Sequence, residues 1–148
     1  MNLSILQNVR ARDVKMNPFP HVVINNALPE NLYTSLEAEY PFEFRVDGYS
    51  GYANNARYQI SGVDGLRGNR LTSLWKEFVA FHTSQDFFSE FLTIFSEGVG
   101  RYYPERNFNS STGVRFKDTK ADVWLDCQPG MNSPVTQNTT VKGPHLDH

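Results

Sequence analysis

The sequence predicts an α+β or mainly β domain, in which helices from the first two thirds of the chain support a sheet formed by the last third. Apolar residues recur at three- and four-residue spacing between about 28 and 103, and they alternate with a period of two from about 112. The chain has 148 residues, 39% of them hydrophobic and 14% aromatic, which indicates one folded domain over 1–148 and not a disordered chain. We therefore expect helices packed on one face of an antiparallel sheet.

The first elements are a strand and a helix. The β-branched run Pro20–Ile24 predicts a short strand. Pro29 suits the first turn of a helix, whose apolar stripe includes Leu32 and Leu36 and which Pro41 ends. Residues 42–65 are rich in Gly and Asn, and we expect short strands or an ordered loop there.

The middle of the chain predicts two helices. The first spans about 71–82. The second begins after the N-cap residue Ser84, has Asp86 in its first turn, runs to Tyr102 and ends before Pro104. Its wide aromatic face is typical of a helix buried against a sheet, and we interpret it as core and not as a cofactor site.

Three strands are predicted near the end of the chain. They span Val114–Lys117, Val123–Gln128 and Val135–Val141, with a turn at Pro129-Gly130. Cys127 is expected to be a small buried hydrophobic residue on the inward face of the second strand.

Charge and composition exclude several classes of partner. The formal net charge is −2 and the basic residues are scattered, so we expect no nucleic-acid partner. The N-terminus has no basic region of the kind that begins a signal peptide, and no apolar stretch approaches the ~20 residues of a membrane-spanning helix. The single cysteine allows no internal disulfide, which suits the cytoplasm.

A candidate metal site lies in the last seven residues, KGPHLDH. In an extended segment, His145 and Asp147 project to the same side, whereas His148 points to the other. An imidazole and a carboxylate suit Fe(II), Mn(II) or Zn(II), and they form two thirds of the 2-His-1-carboxylate triad of non-haem iron oxygenases. The same three-residue pattern also occurs by chance among surface residues, and this alternative stays open.

The stretch Asp122–His148 resembles the segment leading into the iron site of small, prolyl-hydroxylase-like 2-oxoglutarate/Fe(II) oxygenases, of the compact type found in marine bacteria and their phages. The opening Pro18–Tyr33 is similar to the N-terminal strand and helix of the same group. The resemblance implies a double-stranded β-helix (jelly-roll) core with flanking helices. It also implies Fe(II), 2-oxoglutarate and O2, with His145 and Asp147 as iron ligands. The family's second histidine and its co-substrate-binding basic residue would follow His148, so the chain is expected to be incomplete relative to the family.

Other residues are weaker candidates. The amides of Gln128, Asn132 and Gln137 are candidates to bind the keto-acid, the alternative being solvent-facing turn residues, and the segment Arg57–Gln59 is a candidate lid. His21 and His82 are expected to be structural or surface residues.

The function predicted from the sequence is a hydroxylase acting on a small molecule or a protein side chain. One alternative is a truncated, non-catalytic binding or scaffold module, with sheet edges covered in a homo-oligomer. A cupin-like metal enzyme of another reaction class is a further alternative.

Overall fold

The computed structural model describes residues 2–41, 54–105 and 111–135, and these form a mixed α+β arrangement. The elements, in chain order, are α1 (Glu30–Ala38), β1 (Arg57–Gln59), α2 (Gly62–Arg67), α3 (Ser73–His82), α4 (Gln85–Ile94), α5 (Ser96–Tyr102), β2 (Thr112–Val114), β3 (Val123–Leu125) and β4 (Gly130–Asn132). The α+β class is confirmed. No closed barrel is present within the described ranges, so the jelly-roll core stays a prediction.

The two helices predicted in the middle of the chain are present, and each begins after an N-cap hydroxyl, of which the sequence predicted Ser84. The hydroxyl of Thr72 accepts a hydrogen bond from the backbone N–H of Trp75, and Ser84 accepts one from the N–H of Phe87. The helix predicted from Ser84 to Tyr102 is divided, however. Phe95 has φ −99° and ψ 16° and separates α4 from α5, so the predicted apolar face is shared between two helices.

The strand predictions are largely wrong in position and pairing. Pro20–Ile24 forms only one antiparallel bridge, between His21 and Lys15. Of the predicted strand Val114–Lys117, Val114 is the last residue of β2 and the other three residues form a turn; Pro129-Gly130 leads directly into β4 instead of turning. The third predicted strand, Val135–Val141, lies outside the described residues except for Val135.

Within the described residues, two small sheets are present instead of the single antiparallel sheet that the sequence predicts. β1 and β4 are antiparallel, with Arg57 opposite Asn132 and Gln59 opposite Gly130. β2 and β3 are parallel, with Thr112 opposite Val123. The strands of the first pair come from distant parts of the chain, whereas those of the second follow one another in sequence. A period-two pattern reveals neither pairing, because it reports burial and not partnership.

The buried residues gather in two clusters. The first cluster is centred on Ile60, Leu71 and Val79 and is packed by partly buried side chains that include Cys127 and Met131. The second joins the N-terminal segment to α4 and is centred on Leu6, Val9 and Ile94. The first cluster fixes β1 and β4 against α3, and thereby positions the candidate residues described next.

Candidate functional site

The predicted metal ligands lie outside the residues that the structure describes. His145, Asp147, Gln137 and His148 all lie beyond residue 135, the last described residue. Within residues 2–41, 54–105 and 111–135, no group of three or more His, Cys, Asp or Glu side chains could hold a metal ion. The described residues therefore do not test the predicted metal ligands.

The antiparallel pair β1–β4 joins two sets of candidates that are some seventy residues apart in sequence. Tyr58 and Met131 face inward and pack on the first cluster. Arg57, Gln59 and Asn132 are exposed, and the register places Arg57 directly opposite Asn132. Directly opposed residues of an antiparallel pair project to the same face of the sheet. We call these three residues the β1–β4 outer face; it presents a guanidinium and two amides to solvent.

The segment before β4 (residues 126–129) is fixed by Asp126. Its Oδ1 accepts a hydrogen bond from the backbone N–H of Gly62 at 2.8 Å, and its Oδ2 accepts one from the side-chain amide of Gln128. A Cβ on Gly62, the first residue of α2, would lie 2.9 Å from Asp126 Oδ1 and 3.3 Å from the carbonyl oxygen of Cys127, so a larger residue there would displace the carboxylate. The amide nitrogen of Gln128 thus helps to hold this segment, while its assignment to the co-substrate stays a prediction.

Further hydrogen bonds extend the contact between the two segments beyond the strands. The N–H of Ala56 donates to the hydroxyl of Ser133, and the N–H of Ser133 donates back to the carbonyl oxygen of Ala56, both at 2.8 Å. The hydroxyl of Tyr40 donates to the carbonyl oxygen of Gly130 at 2.6 Å. Burial raises the pKa of Tyr40, so this phenol remains a hydrogen-bond donor at neutral pH. The outer face therefore sits on a well-bonded base.

Cys127 packs inward as predicted, but it is only half-buried and lies outside the strand. Its side chain packs against the first cluster, and the residue lies just after β3. Burial, with a smaller contribution from the nearby Asp126 carboxylate, raises the pKa of the Cys127 thiol to about 11. A protonated, half-buried thiol is suited neither to nucleophilic attack nor to metal binding at neutral pH.

The two described histidines are held by backbone groups. His82 is buried among aromatic rings; its Nδ1 donates to the carbonyl oxygen of Phe78 at 2.8 Å, and its Nε2 accepts the N–H of Ile5 at 3.4 Å. Burial lowers the pKa of His82, so its imidazole stays neutral. His21 is half-buried, with Nδ1 2.8 Å from the carbonyl oxygen of Phe19. Both have the structural surroundings that the sequence predicts.

Sequence reasoning missed two features. The first is Asp126, whose spacing of two residues from Gln128 was the available signal that both could point to one side. The second is the turn containing Arg115 and Phe116, which was predicted as a strand. Its positive φ at Phe116 has no signature in a sequence that lacks Gly or Asn at that position.

Comparison with protein-family models, with curated proteins and with solved structures returns no match to this chain. Among the described helices, none has the length and apolar character required to cross a bilayer.

Proposed function

We propose that this chain is part of a 2-oxoglutarate- and Fe(II)-dependent oxygenase in which His145 and Asp147 are two of the three iron ligands. The observation that carries the proposal is the spacing of one histidine and one carboxylate with a single residue between them, directly after Gly143-Pro144. One imidazole nitrogen and one carboxylate oxygen are a donor set that fits Fe(II) and leaves positions open for co-substrate and oxygen. When bound, iron and 2-oxoglutarate supply the oxidising chemistry, with O2 as oxidant and succinate and CO2 as products.

The roles of the described residues support a division of labour. His82 and His21 are bonded to backbone groups, and Cys127 is protonated, so these residues are assigned to structure. The third iron ligand is accordingly assigned to neither of these two histidines. The protein would contribute the position and the orientation of the ligands and a pocket that excludes water from the reacting groups.

The β1–β4 outer face is the part of the described chain best suited to a dicarboxylate co-substrate. Arg57 offers a planar guanidinium, which binds carboxylates through two parallel hydrogen bonds, and Asn132 lies directly opposite it in the strand register. Gln128 and Gln137 remain the other amides proposed to contact the keto-acid. The substrate itself is proposed to be a small molecule or a protein side chain.

The experiment is an anaerobic Fe(II) titration of the chain, followed by measurement of succinate formed from 2-oxoglutarate in air. His145→Ala and Asp147→Ala are each expected to weaken Fe(II) binding by at least ~10-fold, because each removes one direct ligand. His21→Ala is the matched control, since it removes an imidazole that is bonded to the backbone, and it should leave Fe(II) affinity unchanged. Equal Fe(II) affinity in all four proteins would refute the assignment.

One observation favours a second candidate, a non-catalytic scaffold module. Each sheet in the described ranges has only two strands, so each strand has one edge that no other described strand covers. Uncovered edges favour pairing with another chain, and a homo-oligomer would satisfy them. Light scattering together with the titration separates the two functions: a stable oligomer that binds no Fe(II) supports the scaffold, whereas one Fe(II) per chain supports the oxygenase.

A further inference from the structure

A cleft of about 650 Å³ lies beside the parallel pair β2–β3, and the proposed oxygenase site makes no use of it. Its walls include Arg115, Phe116, Asp118, Thr119 and Trp124. Phe116 is 71% exposed and Trp124 is 58% exposed. Large aromatic side chains contribute most to stability when buried, so two exposed rings on one cleft indicate a surface that binds a ligand.

The backbone at Phe116 is strained, and its ring is exposed. Its φ of 65° lies in the left-handed region, which a bulky side chain rarely adopts. The turn enforces this conformation: the N–H groups of Lys117 and Asp118 donate to the carbonyl oxygen of Val114 at 3.0 and 3.1 Å, and Asp118 Oδ2 accepts the Val114 N–H at 2.8 Å. Because the ring remains exposed, its burial does not offset the strain. Retained strain of this kind is concentrated at functional sites.

The second ring is also held in place. The indole Nε1 of Trp124 donates to the carbonyl oxygen of Asp118 at 2.9 Å, which ties the ring to the turn that carries Phe116. The turn packs closely on β2, since a Cβ on Gly113 would lie 2.5 Å from the Cβ of Asp118. The two rings are therefore presented by a pre-organised segment, which lowers the entropy lost when a ligand binds.

The charges around the cleft favour an anion. The guanidinium carbon of Arg115 lies 4.8 Å from the centroid of the Phe116 ring, and Arg115 is exposed. The carboxylate of Asp118 is already bonded to the turn, and Asp122 Oδ2 accepts hydrogen bonds from the N–H and hydroxyl of Ser111. The acidic groups of this segment are thus engaged within it, while the guanidinium can donate to a ligand.

The geometry points to a binding site for a small planar aromatic ring that carries a carboxylate or a phosphate. The ring stacks on Trp124 and Phe116, and the anion binds the guanidinium of Arg115. The volume of the cleft falls within the ~300–1,000 Å³ of small-molecule sites. The argument for this site uses neither His145 nor Asp147, so the proposed oxygenase and this site can fail separately.

Fluorescence titration tests the proposal. The chain has two tryptophans, so Trp75→Phe leaves Trp124 as the only one and makes its emission a direct report on the cleft. The probes are adenosine 5′-monophosphate, which has a ring and an anion, adenosine, which lacks the anion, and inorganic phosphate, which lacks the ring. A second aromatic anion, 4-hydroxybenzoate, tests whether binding depends on a nucleobase. At least one of the two aromatic anions should saturate the change in Trp124 emission below ~1 mM. If adenosine 5′-monophosphate binds, adenosine and phosphate should each bind at least ~10-fold more weakly than the monophosphate.

Variants separate an effect on binding from an effect on folding. Because Trp124→Leu removes the fluorescent reporter, ligand binding to that variant is measured by calorimetry. Arg115→Gln should weaken binding of the aromatic anions at least ~5-fold and leave adenosine unchanged. Trp124→Leu should abolish binding. Phe116→Gly should also abolish it without lowering the denaturation midpoint, because glycine adopts a φ of 65° without strain. Phe19→Leu is the matched control, since Phe19 is 60% exposed but lines a different groove beside α4 and α5.

Four outcomes would overturn the proposal. The first is that neither aromatic anion saturates, and the second is that Arg115→Gln binds the aromatic anions as tightly as the unmodified chain does. The third is a lower denaturation midpoint in Phe116→Gly, and the fourth is a change of oligomeric state in Trp124→Leu. The third would show that the ring of Phe116 serves the fold. The fourth would show that the exposed rings form an interface between copies of the chain.

Discussion

Replacing Asp126 with alanine should destabilise the protein by about 2–4 kcal/mol, because the carboxylate is the shared acceptor that ties the segment before β4 to the start of α2. The substitution removes two hydrogen bonds to a charged acceptor. It leaves the N–H of the buried Gly62 and the side-chain amide of Gln128 without their partner. A hydrogen bond to a charged group contributes about 1.5–3 kcal/mol, and partial exposure of Asp126 to solvent reduces the sum.

Two variants make the magnitude specific to these contacts. Asp126→Asn retains an oxygen that accepts the Gly62 N–H, and rotation of the Gln128 amide restores the second bond, so its cost should be only about 0.5–1.5 kcal/mol. Because Gln128 loses its partner in Asp126→Ala, adding Gln128→Ala should cost little more. Urea denaturation at pH 7 gives all four free energies of unfolding. A loss below about 0.5 kcal/mol in Asp126→Ala, or equal losses in the alanine and asparagine variants, would refute the reasoning.

Three further predictions concern other parts of the fold. Cys127 should react with iodoacetamide at pH 8 about 100-fold more slowly in the folded protein than in urea, because raising its pKa from 9.0 to about 11 reduces the thiolate fraction by that factor; equal rates would contradict it. Burial lowers the pKa of His82 below 6.5, so the unfolded chain takes up a proton on this imidazole at a higher pH than the folded chain does. The free energy of unfolding should therefore fall as the pH decreases below 6.5, and the contribution of neutral His82 should be complete above that pH. His82→Gln should flatten that part of the pH dependence of urea denaturation, and an unchanged slope would count against it. Ser84→Ala should cost about 0.5–2 kcal/mol by removing the N-cap of α4, whereas the control Ser89→Ala, whose hydroxyl bonds within the helix, should cost less than about 0.5 kcal/mol; equal costs in thermal or urea unfolding would argue against the cap.

The helices were predictable because their signals are local. Thr72 and Ser84 each satisfy an N–H that lies three residues further on, and the apolar stripes repeat within one turn. α2 escaped prediction because Gly62 and Gly65 lower its helix propensity. Its first N–H is satisfied instead by Asp126, which is 64 residues away and gives no local signal.

The strands were less predictable because pairing is not a local property. The alternation through Val123–Leu125 correctly indicated an extended segment, but alternation reports which residues are buried and gives neither the partner strand Thr112–Val114 nor the parallel direction. The turn at Phe116 escaped prediction for a different reason. Hydrogen bonds from Lys117 and Asp118 to the carbonyl oxygen of Val114 impose the turn, and they override the preference of an aromatic residue for strands.

The prediction of the candidate site was uneven for a related reason. The residue types that suit a metal or a keto-acid can be read from the sequence, and the assignments of His145, Asp147 and Asn132 stay predictions. Which of them share a face depends on strand register, and the register of β1–β4 placed Arg57 beside Asn132 although the two had been assigned to separate features. A guanidinium with an amide is a more complete carboxylate site than either group alone.

Both proposed sites depend on Asp126, whereas each also has a ligand of its own. Trp124 lines the cleft, and Asp126 follows it by two residues and holds the segment that leads into β4 and Asn132. Loss of the carboxylate should therefore disturb both the cleft and the β1–β4 outer face. Removal of His145 should affect only metal binding, and removal of Arg115 only the aromatic anion. Each of these two variants changes one ligand and leaves the segment held by Asp126 unchanged. If either variant lost both metal binding and aromatic-anion binding, the chain would have one site and not two.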